Sequence, residues 1–299
     1  MEFQNQNIIC LFVLDASCKV TNKWVVYQSP KFKPIEMKKL FRCLFVLSLM
    51  PVFFGLILSC SKNDMDFDYG QVSDIDGNTY KTIQIGLQVW MAENLKTTTY
   101  RDGTPIPYGH LESGKTEAEN EDAGFYFIYP HSNVDGISSE SEMISAYGMH
   151  YNWHAVVNPD GLCPQGWRVP ATHDVEQLLA YVLSKDNEKP GDQLKSCRYV
   201  DSPLKGSCTT TKHPRWNSFR GMFKYLYYGT DRYGFSALPA GYGSPYGTFL
   251  DMGTGAGWWT STEEHEHFAQ NFAVGYSHSD LNIHYDDKRA YYSVRCIKE

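Results

Sequence analysis

The densest group of titratable side chains in the sequence is Glu263-Glu264-His265-Glu266-His267, directly after Trp258-Trp259-Thr260-Ser261-Thr262. In extended backbone His265 and His267 point to the same side, and two imidazoles at that spacing suit a divalent metal. His278, His284, Asp286 and Asp287 lie on neighbouring segments from which they could complete the ligand set. The same composition also suits a solvated turn between two strands. A second set is aromatic: Phe, Trp and Tyr make up 15% of the chain, and Tyr242, Tyr246, Tyr276 and Tyr285 lie in glycine-rich surroundings. A flat ring beside hydrogen-bonding groups is what a sugar needs, because the apolar face of a pyranose stacks on it while its hydroxyls find partners. These four tyrosines are the expected exposed contacts, and Trp153, Trp167, Trp258 and Trp259 the expected filling of an irregular core.

Catalytic signatures are missing. No Gly-x-Ser-x-Gly elbow, His-Glu-x-x-His helix or phosphate-binding glycine loop occurs. The segments that would position a site read as short strands between glycine-rich turns. Asn78 to Ile85 and Leu87 to Trp90 predict a hairpin with Gly86 in the turn and Thr79, Lys81, Ile83 and Ile85 on one side. Further strands are expected at Gly124 to Tyr129, Phe235 to Leu238, Gly257 to Ser261, Phe268 to Val274, Leu281 to Tyr285 and Tyr291 to Ile297. One clear helix follows Trp167-Arg168-Val169-Pro170. Thr172 is its expected N-cap, with Asp174 and Glu176 in the first turn, where the helix dipole favours negative charge. Val175, Leu178, Leu179, Val182 and Leu183 fall on one stripe. The pattern predicts an α+β fold of short twisted antiparallel sheets with one or two helices.

The amino-terminal part reads differently. From Met37, basic Lys38, Lys39 and Arg42 lead into the apolar run Cys43 to Leu58, which closes on Ile57-Leu58-Ser59-Cys60. That is the pattern of a bacterial lipoprotein signal, with an aliphatic residue at −3, a small one at −1 and the cysteine that is diacylated. Pro51, Gly55 and the one-sided basic flank favour a cleaved signal over a spanning helix. The expected organisation is an over-long gene-model extension at 1–36, a signal at 37–59, a polar acidic tether at 60–70 and one domain at 71–299. Residues 1–59 carry seven basic and three acidic side chains, so the whole-chain net charge of −7 becomes −11 once they are removed. Phosphate backbones require a basic face, so nucleic acid is excluded as a partner. The expected location is the outer membrane, facing the cell surface or the periplasm, with the membrane itself held through the lipid.

Six ordered blocks carry a resemblance over about 220 residues. They are Asp76-Gly77-Asn78-Thr79-Tyr80 with Gln88 to Leu95, Tyr147-Gly148 with Tyr151-Asn152-Trp153, Cys163 to Pro170, Phe235 to Gly241, Trp258-Trp259-Thr260-Ser261, and Ser293-Val294-Arg295-Cys296. Together they resemble the Fibrobacter succinogenes major paralogous domain, common in exported lipoproteins. That family in turn resembles the formylglycine-generating-enzyme branch of C-type-lectin-like folds, through Arg168-Val169-Pro170-Ala171-Thr172 before the helix and Tyr292 to Cys296 at the end. The resemblance implies a lectin-like α+β fold.

Four cysteines follow Cys60: Cys163, Cys197, Cys208 and Cys296. An even number in an exported chain suits disulfides, with three pairings open, and their spacing matches no zinc finger. The lectin-like resemblance favours Cys163 with Cys296, leaving Cys197 with Cys208 to close a short loop. The reactive thiol pair and copper of the formylglycine-generating enzymes do not carry over, because Cys296 matches a structural cysteine and no second pair lies in the glycine-rich region before it. The calcium-dependent sugar motifs of C-type lectins are also missing, so no cofactor is required, although the acidic side chains leave room for calcium. The sequence therefore predicts a non-enzymatic binding or adhesion module for a glycan or surface protein. Its alternatives are an accessory subunit of an envelope complex and, third, an oxidase.

Overall fold

The computed structural model describes residues 67–109, 122–185, 189–199, 208, 212–217 and 228–299, with the backbone of four short strands at 10–14, 20–24, 111–112 and 115–116. The chain divides into two compact units, Met1–Cys60 and Ser61–Glu299. In the first, β1 (Cys10–Leu14) and β2 (Val20–Trp24) pair antiparallel. The expected signal at 37–59, its acylation residue Cys60 and the tether as far as Asp66 lie outside the described residues.

Two sheets organise the second unit. Strands β3 (Gly70–Ser73), β4 (Thr79–Ile85), β5 (Gln88–Met91), β10 (Trp167–Arg168) and β17 (Ile297–Lys298) form a five-stranded sheet in the order β10-β17-β5-β4-β3. The larger sheet runs β15 (Leu281–Asp287), β14 (Phe268–Gly275), β13 (Gly255–His265), β11 (Ala240–Gly243), β16 (Tyr291–Tyr292), β9 (His150–Asn152), β8 (Tyr126–Phe127), with β12 (Phe249–Met252) added on β11. A separate pair joins β6 (Leu111–Glu112) to β7 (Lys115–Thr116). The helices are α1 (Glu140–Tyr147), α2 (Trp153–Val156), α3 (Thr172–Lys185) and α4 (Pro190–Leu194). With mostly antiparallel pairing and few helices, the fold is α+β, as expected.

The predicted hairpin forms across Gly86-Leu87, with Gly86 at φ +64. Thr79, Lys81, Ile83 and Ile85 do alternate onto one side, but Thr79 and Lys81 are exposed there while Ile83 and Ile85 are buried. Ile83 and Ile85 pack in the cluster that holds the buried stripe of α3, whereas Tyr80, on the opposite face, belongs to the other cluster. In α3 the buried residues include Val175, Leu178 and Val182, as the periodicity requires. Thr172 lies inside the helix rather than capping it. Asp174 does the capping, its carboxylate accepting from Ala171 N at 2.7 Å and from both guanidinium nitrogens of Arg168 at 2.6 and 2.9 Å. Helix α1 is not legible as a stripe because its buried residues are Met143 and Tyr147 alone. Its start is a capping box, with Ser139 Oγ accepting from Glu142 N at 3.2 Å while the Glu142 carboxylate accepts from Ser138 N at 2.8 Å.

The expected strand Tyr291 to Ile297 divides between the sheets. Its start is β16 in the larger sheet, its end is β17 in the smaller, and between them Val294 O accepts from Leu95 N at 2.9 Å and Cys296 O from Met91 N at 2.9 Å. At its centre Arg295 is fully buried. Its Nε donates to Asn94 Oδ1 at 2.9 Å, Nη2 to Ser236 O at 2.7 Å and Nη1 to Phe235 O. The rings of Phe235 and Trp258 lie 4.5 and 5.3 Å from the guanidinium carbon. This explains why Phe235 to Leu238, expected as a strand, makes only the isolated bridge Lys195–Ala237: the carbonyls of Phe235 and Ser236 are turned onto the guanidinium, and Ser236 sits at φ +51. The four tryptophans expected in the core are there, each at or below 7% exposure. Adjacent Trp258 and Trp259 alternate into different clusters, their indole N–H groups donating to Asn94 Oδ1 and Tyr151 O at 2.9 Å each.

Disulfides join Cys163 to Cys296 and Cys197 to Cys208, the pairings favoured above. The first links residues 133 apart in sequence. Chain entropy assigns such a crosslink about 5 kcal/mol, and real proteins often show less. The double variant Cys163→Ala, Cys296→Ala is expected to lower the urea-unfolding free energy by about 2–5 kcal/mol, and Cys197→Ala, Cys208→Ala by less, because its loop spans 11 residues.

Two buried groups give the core opposing pH responses. Burial pushes the His150 imidazole down to about 4 from 6.5, partly offset by its hydrogen bonds to Gly241 O and Ala240 O. Burial pushes the Asp231 carboxyl up to about 6 from 3.8, against hydrogen bonds from Ser236 and the charge of Arg295. As pH falls from 6.5 to about 4, the unfolded chain takes up a proton at His150 that the fold refuses, and stability is lost. From about 6 to 3.8 the fold takes up a proton at Asp231 that the unfolded chain does not, and stability is gained. Each displacement corresponds to about 3 kcal/mol, so the two nearly cancel. Asp231→Asn should lose about 3 kcal/mol more than the parent on acidification across this window, read from urea midpoints between neutral and pH 4. A profile parallel to the parent's would contradict this.

Candidate binding site

Strand register creates a bare patch on the larger sheet. Strands β13 and β14 pair Gly255 with Gly275, Gly257 with Ala273 and Trp259 with Asn271, and β14 and β15 pair Ala273 with Asn282, Asn271 with His284 and Ala269 with Asp286. Side chains alternate along a strand, so these residues share one face, while Phe272 and Val274 on the other enter the core. Glycine weakens a strand, and in a strand interior it commonly marks close approach by another group. Here a Cβ at Gly257 would lie 2.7 Å from the Tyr292 ring. With Gly255, Gly257, Ala273 and Gly275 as floor, the sheet carries an open groove of about 320 Å³.

Its walls are aromatic and polar. Tyr242 from β11 stacks on Tyr292 from β16, with ring centroids 5.2 Å apart and planes within 6°. The Tyr292 hydroxyl donates to Asp286 Oδ2 at 2.7 Å. Burial first, and then the charges of Asp251 and Asp286, raise the Tyr242 phenol above its ordinary range. The Tyr292 phenol is raised in the same way, with burial the largest cause. Tyr276 and Tyr285 complete the ring set, with Asp251, Thr254, His278, Asn282 and His284 as polar lining. Asn271, 2% exposed, lines the same groove, and among the described residues its buried Nδ2 has no hydrogen-bond partner.

A buried ion pair fixes one lip. Lys195, fully buried, places Nζ 2.8 Å from Asp192 Oδ1 and donates to the carbonyls of Gly275 at 3.1 Å and His278 at 3.2 Å. Asp192 Oδ2 also accepts from Ser279 Oγ at 2.7 Å. The turn after β14 is thereby anchored to α4. Burial lowers the Lys195 ammonium, with Asp192 acting in the opposite direction.

A second depression of about 270 Å³, beside Asp74, Thr97, Arg101 and Cys163, offers less to a ligand because neighbouring carboxylates are already engaged. Asp74 accepts from Asn78 and the Tyr80 hydroxyl, and Asp76 accepts from Thr97 and Thr98.

The family profile of the Fibrobacter succinogenes major domain matches residues 83–298, which include every residue lining the groove. The chain belongs to this family. No curated protein and no solved structure matches it.

Within this Fibrobacter succinogenes major domain, three of the four tyrosines singled out from sequence, Tyr242, Tyr276 and Tyr285, line one groove. Tyr242 and Tyr276 are half-buried there rather than exposed, because Tyr242 stacks on Tyr292 and Tyr276 packs on the core. Tyr246 is 71% exposed in the turn between β11 and β12 and does not line the groove. His265 and His267 do not lie along one strand face, since Glu266 and His267 make the turn between β13 and β14. The His265 ring packs on Phe268 at 4.9 Å and near Tyr285 at 6.4 Å. The acidic side chains expected beside these histidines turn elsewhere, Asp286 to Tyr292 and Asp287 to Arg289. Among the described residues, no group of three His, Cys, Asp or Glu side chains is placed to hold a metal ion. Sequence reasoning missed Asn271 and Tyr292. The available signal for Asn271 was the amide pair Gln270-Asn271 inside the otherwise apolar strand Phe268 to Val274.

Proposed function

We propose that the protein is a non-enzymatic binding module of the cell envelope, anchored at the outer membrane through a diacylated Cys60, and that the groove over β13, β14 and β15 takes a glycan. The observation that carries this reading is the groove itself, where a floor of glycine and alanine lies under tyrosine rings and a buried Asn271 donor has no partner among the described residues. Rings supply stacking, and amide, carboxylate and imidazole groups meet hydroxyls, so no metal ion is needed. The pairing of all four cysteines after Cys60 supports a role without thiol chemistry. A net charge of −11 after residue 59 speaks against nucleic acid.

Two measurements test the two halves of the proposal. Cys60→Ala should leave the protein unacylated and shift it from the membrane to the soluble fraction; equal membrane retention would place the anchor elsewhere. Tyr285, 61% exposed, contributes little to folding. Tyr285→Ala should therefore keep the parent's thermal midpoint while weakening retention on immobilised envelope polysaccharide by about five- to tenfold, the equivalent of one stacking contact. Tyr246→Ala, outside the groove, should bind as the parent does. Weakening by Tyr246→Ala alone would move the site to the turn between β11 and β12.

A further inference from the structure

Burying an amide N–H without a partner is costly, and folded proteins rarely tolerate it unless a ligand or water completes the bond. Asn271 Nδ2 is such a group, held in the wall of the groove by the pairing of β14 with β13 and β15. A carboxamide nitrogen donates and does not accept, so it calls for a ligand oxygen and repels an ammonium. Two carboxylates supply the opposite polarity beside the donors Thr254 and Asn282. Asp251 lines the groove, and Asp286 stands behind Tyr292; both act electrostatically on the Tyr242 and Tyr292 rings. Lys195, the cation behind the lip, is already held by Asp192 and two carbonyls. Among the described residues no Lys or Arg lines the groove, so a ligand carboxylate or sulfate would meet these carboxylates without an ammonium or guanidinium to offset them, whereas hydroxyls can donate to them. At about 320 Å³ the space is at the lower end of the range for small-molecule sites, enough for one or two sugar rings.

We infer that the groove selects a neutral saccharide over an acidic one, with Asn271 Nδ2 donating to an oxygen of the bound sugar. The inference rests on the glycan reading above and names its ligand class and one specificity-determining residue. Asn271 is then a group kept for binding at the expense of stability. Replacing it with an apolar side chain of similar size removes the orphaned donor, so the fold gains while the ligand loses its partner.

The test uses the full-length protein in detergent micelles on an array carrying neutral oligosaccharides, uronic-acid oligosaccharides and sulfated oligosaccharides, with choline as a soluble competitor. The parent should be retained on neutral spots and at least tenfold more weakly on acidic ones, and choline should not displace it. Asn271→Leu should bind at least tenfold more weakly yet melt about 2–6 °C higher than the parent, as expected for removing one buried unsatisfied group. Ala273→Leu, whose added atoms enter the groove floor, should abolish retention. Retention on acidic spots equal to that on neutral ones, or displacement by choline, overturns the selectivity and leaves the glycan reading standing. Parent-like binding by Asn271→Leu, or a lower midpoint or failure to fold, overturns the role of Asn271. Parent-like binding by Ala273→Leu places the site outside this groove. Retention on no spot at all removes the glycan reading, and the selectivity with it.

Discussion

A fully buried guanidinium is the constraint on which the domain is assembled. Taking a charge out of water costs several kcal/mol unless its donors are met, so Arg295 must have acceptors placed around it before the core can close. Those acceptors come from distant parts of the chain: Asn94 just after the first hairpin, and the carbonyls of Phe235 and Ser236. Each is fixed in turn. Asn94 donates to Tyr147 O at 2.8 Å and to Ser293 Oγ at 3.2 Å, and Asp231 holds Ser236 through its N–H at 2.7 Å and its hydroxyl at 2.5 Å. Trp258 closes the set by donating to Asn94 Oδ1 and by lying against the guanidinium. Removing Arg295 would leave the carbonyls of Phe235 and Ser236 without its donors at once, in the segment that joins the two sheets.

The groove depends on this frame without sharing its chemistry. Tyr292, one of its walls, is three residues from Arg295 and is placed by the same strand. The floor, by contrast, gives up strand propensity at Gly255, Gly257 and Gly275, where Asp251, the Tyr292 ring and the His278 ring pack close against the sheet. Rigidity is recovered at the lip, where the buried Lys195–Asp192 pair grips the backbone after β14. Groove and core are therefore opposite faces of the same strands: Trp258 and Phe272 face the core, while Gly257 and Ala273 face the groove.

Local rules made part of this legible in the sequence. The Gly86 hairpin, the stripe of α3 and the strands around Trp258, Phe268 and Leu281 follow from periodicity and turn chemistry, and Tyr242, Tyr276 and Tyr285 follow from residue type. Non-local partners decided the rest. Phe235 to Leu238 has a strand-like composition, but its carbonyls answer a charge that enters from the end of the chain. Thr172 looks like a cap, yet its hydroxyl is used by Gln270 on the adjoining sheet. Asn271 stands beside Gln270 in an otherwise apolar strand, but only the strand register places it on the groove face, with its amide buried there.

The strand segments at 291–298 have a consequence for the order of events during synthesis. Residues 291–298 complete one sheet, start the other's central ladder, carry the buried cation and supply the cysteine partner of Cys163. A chain delivered amino terminus first presents these residues after every strand they pair with. Until they emerge, both sheets lack an interior strand, and Cys163 waits for a thiol 133 positions behind it. Both sheets are consequently closed by pairings of long sequence separation, so the local hairpins and α3 can form before the ladders and the crosslink that join them into one fold.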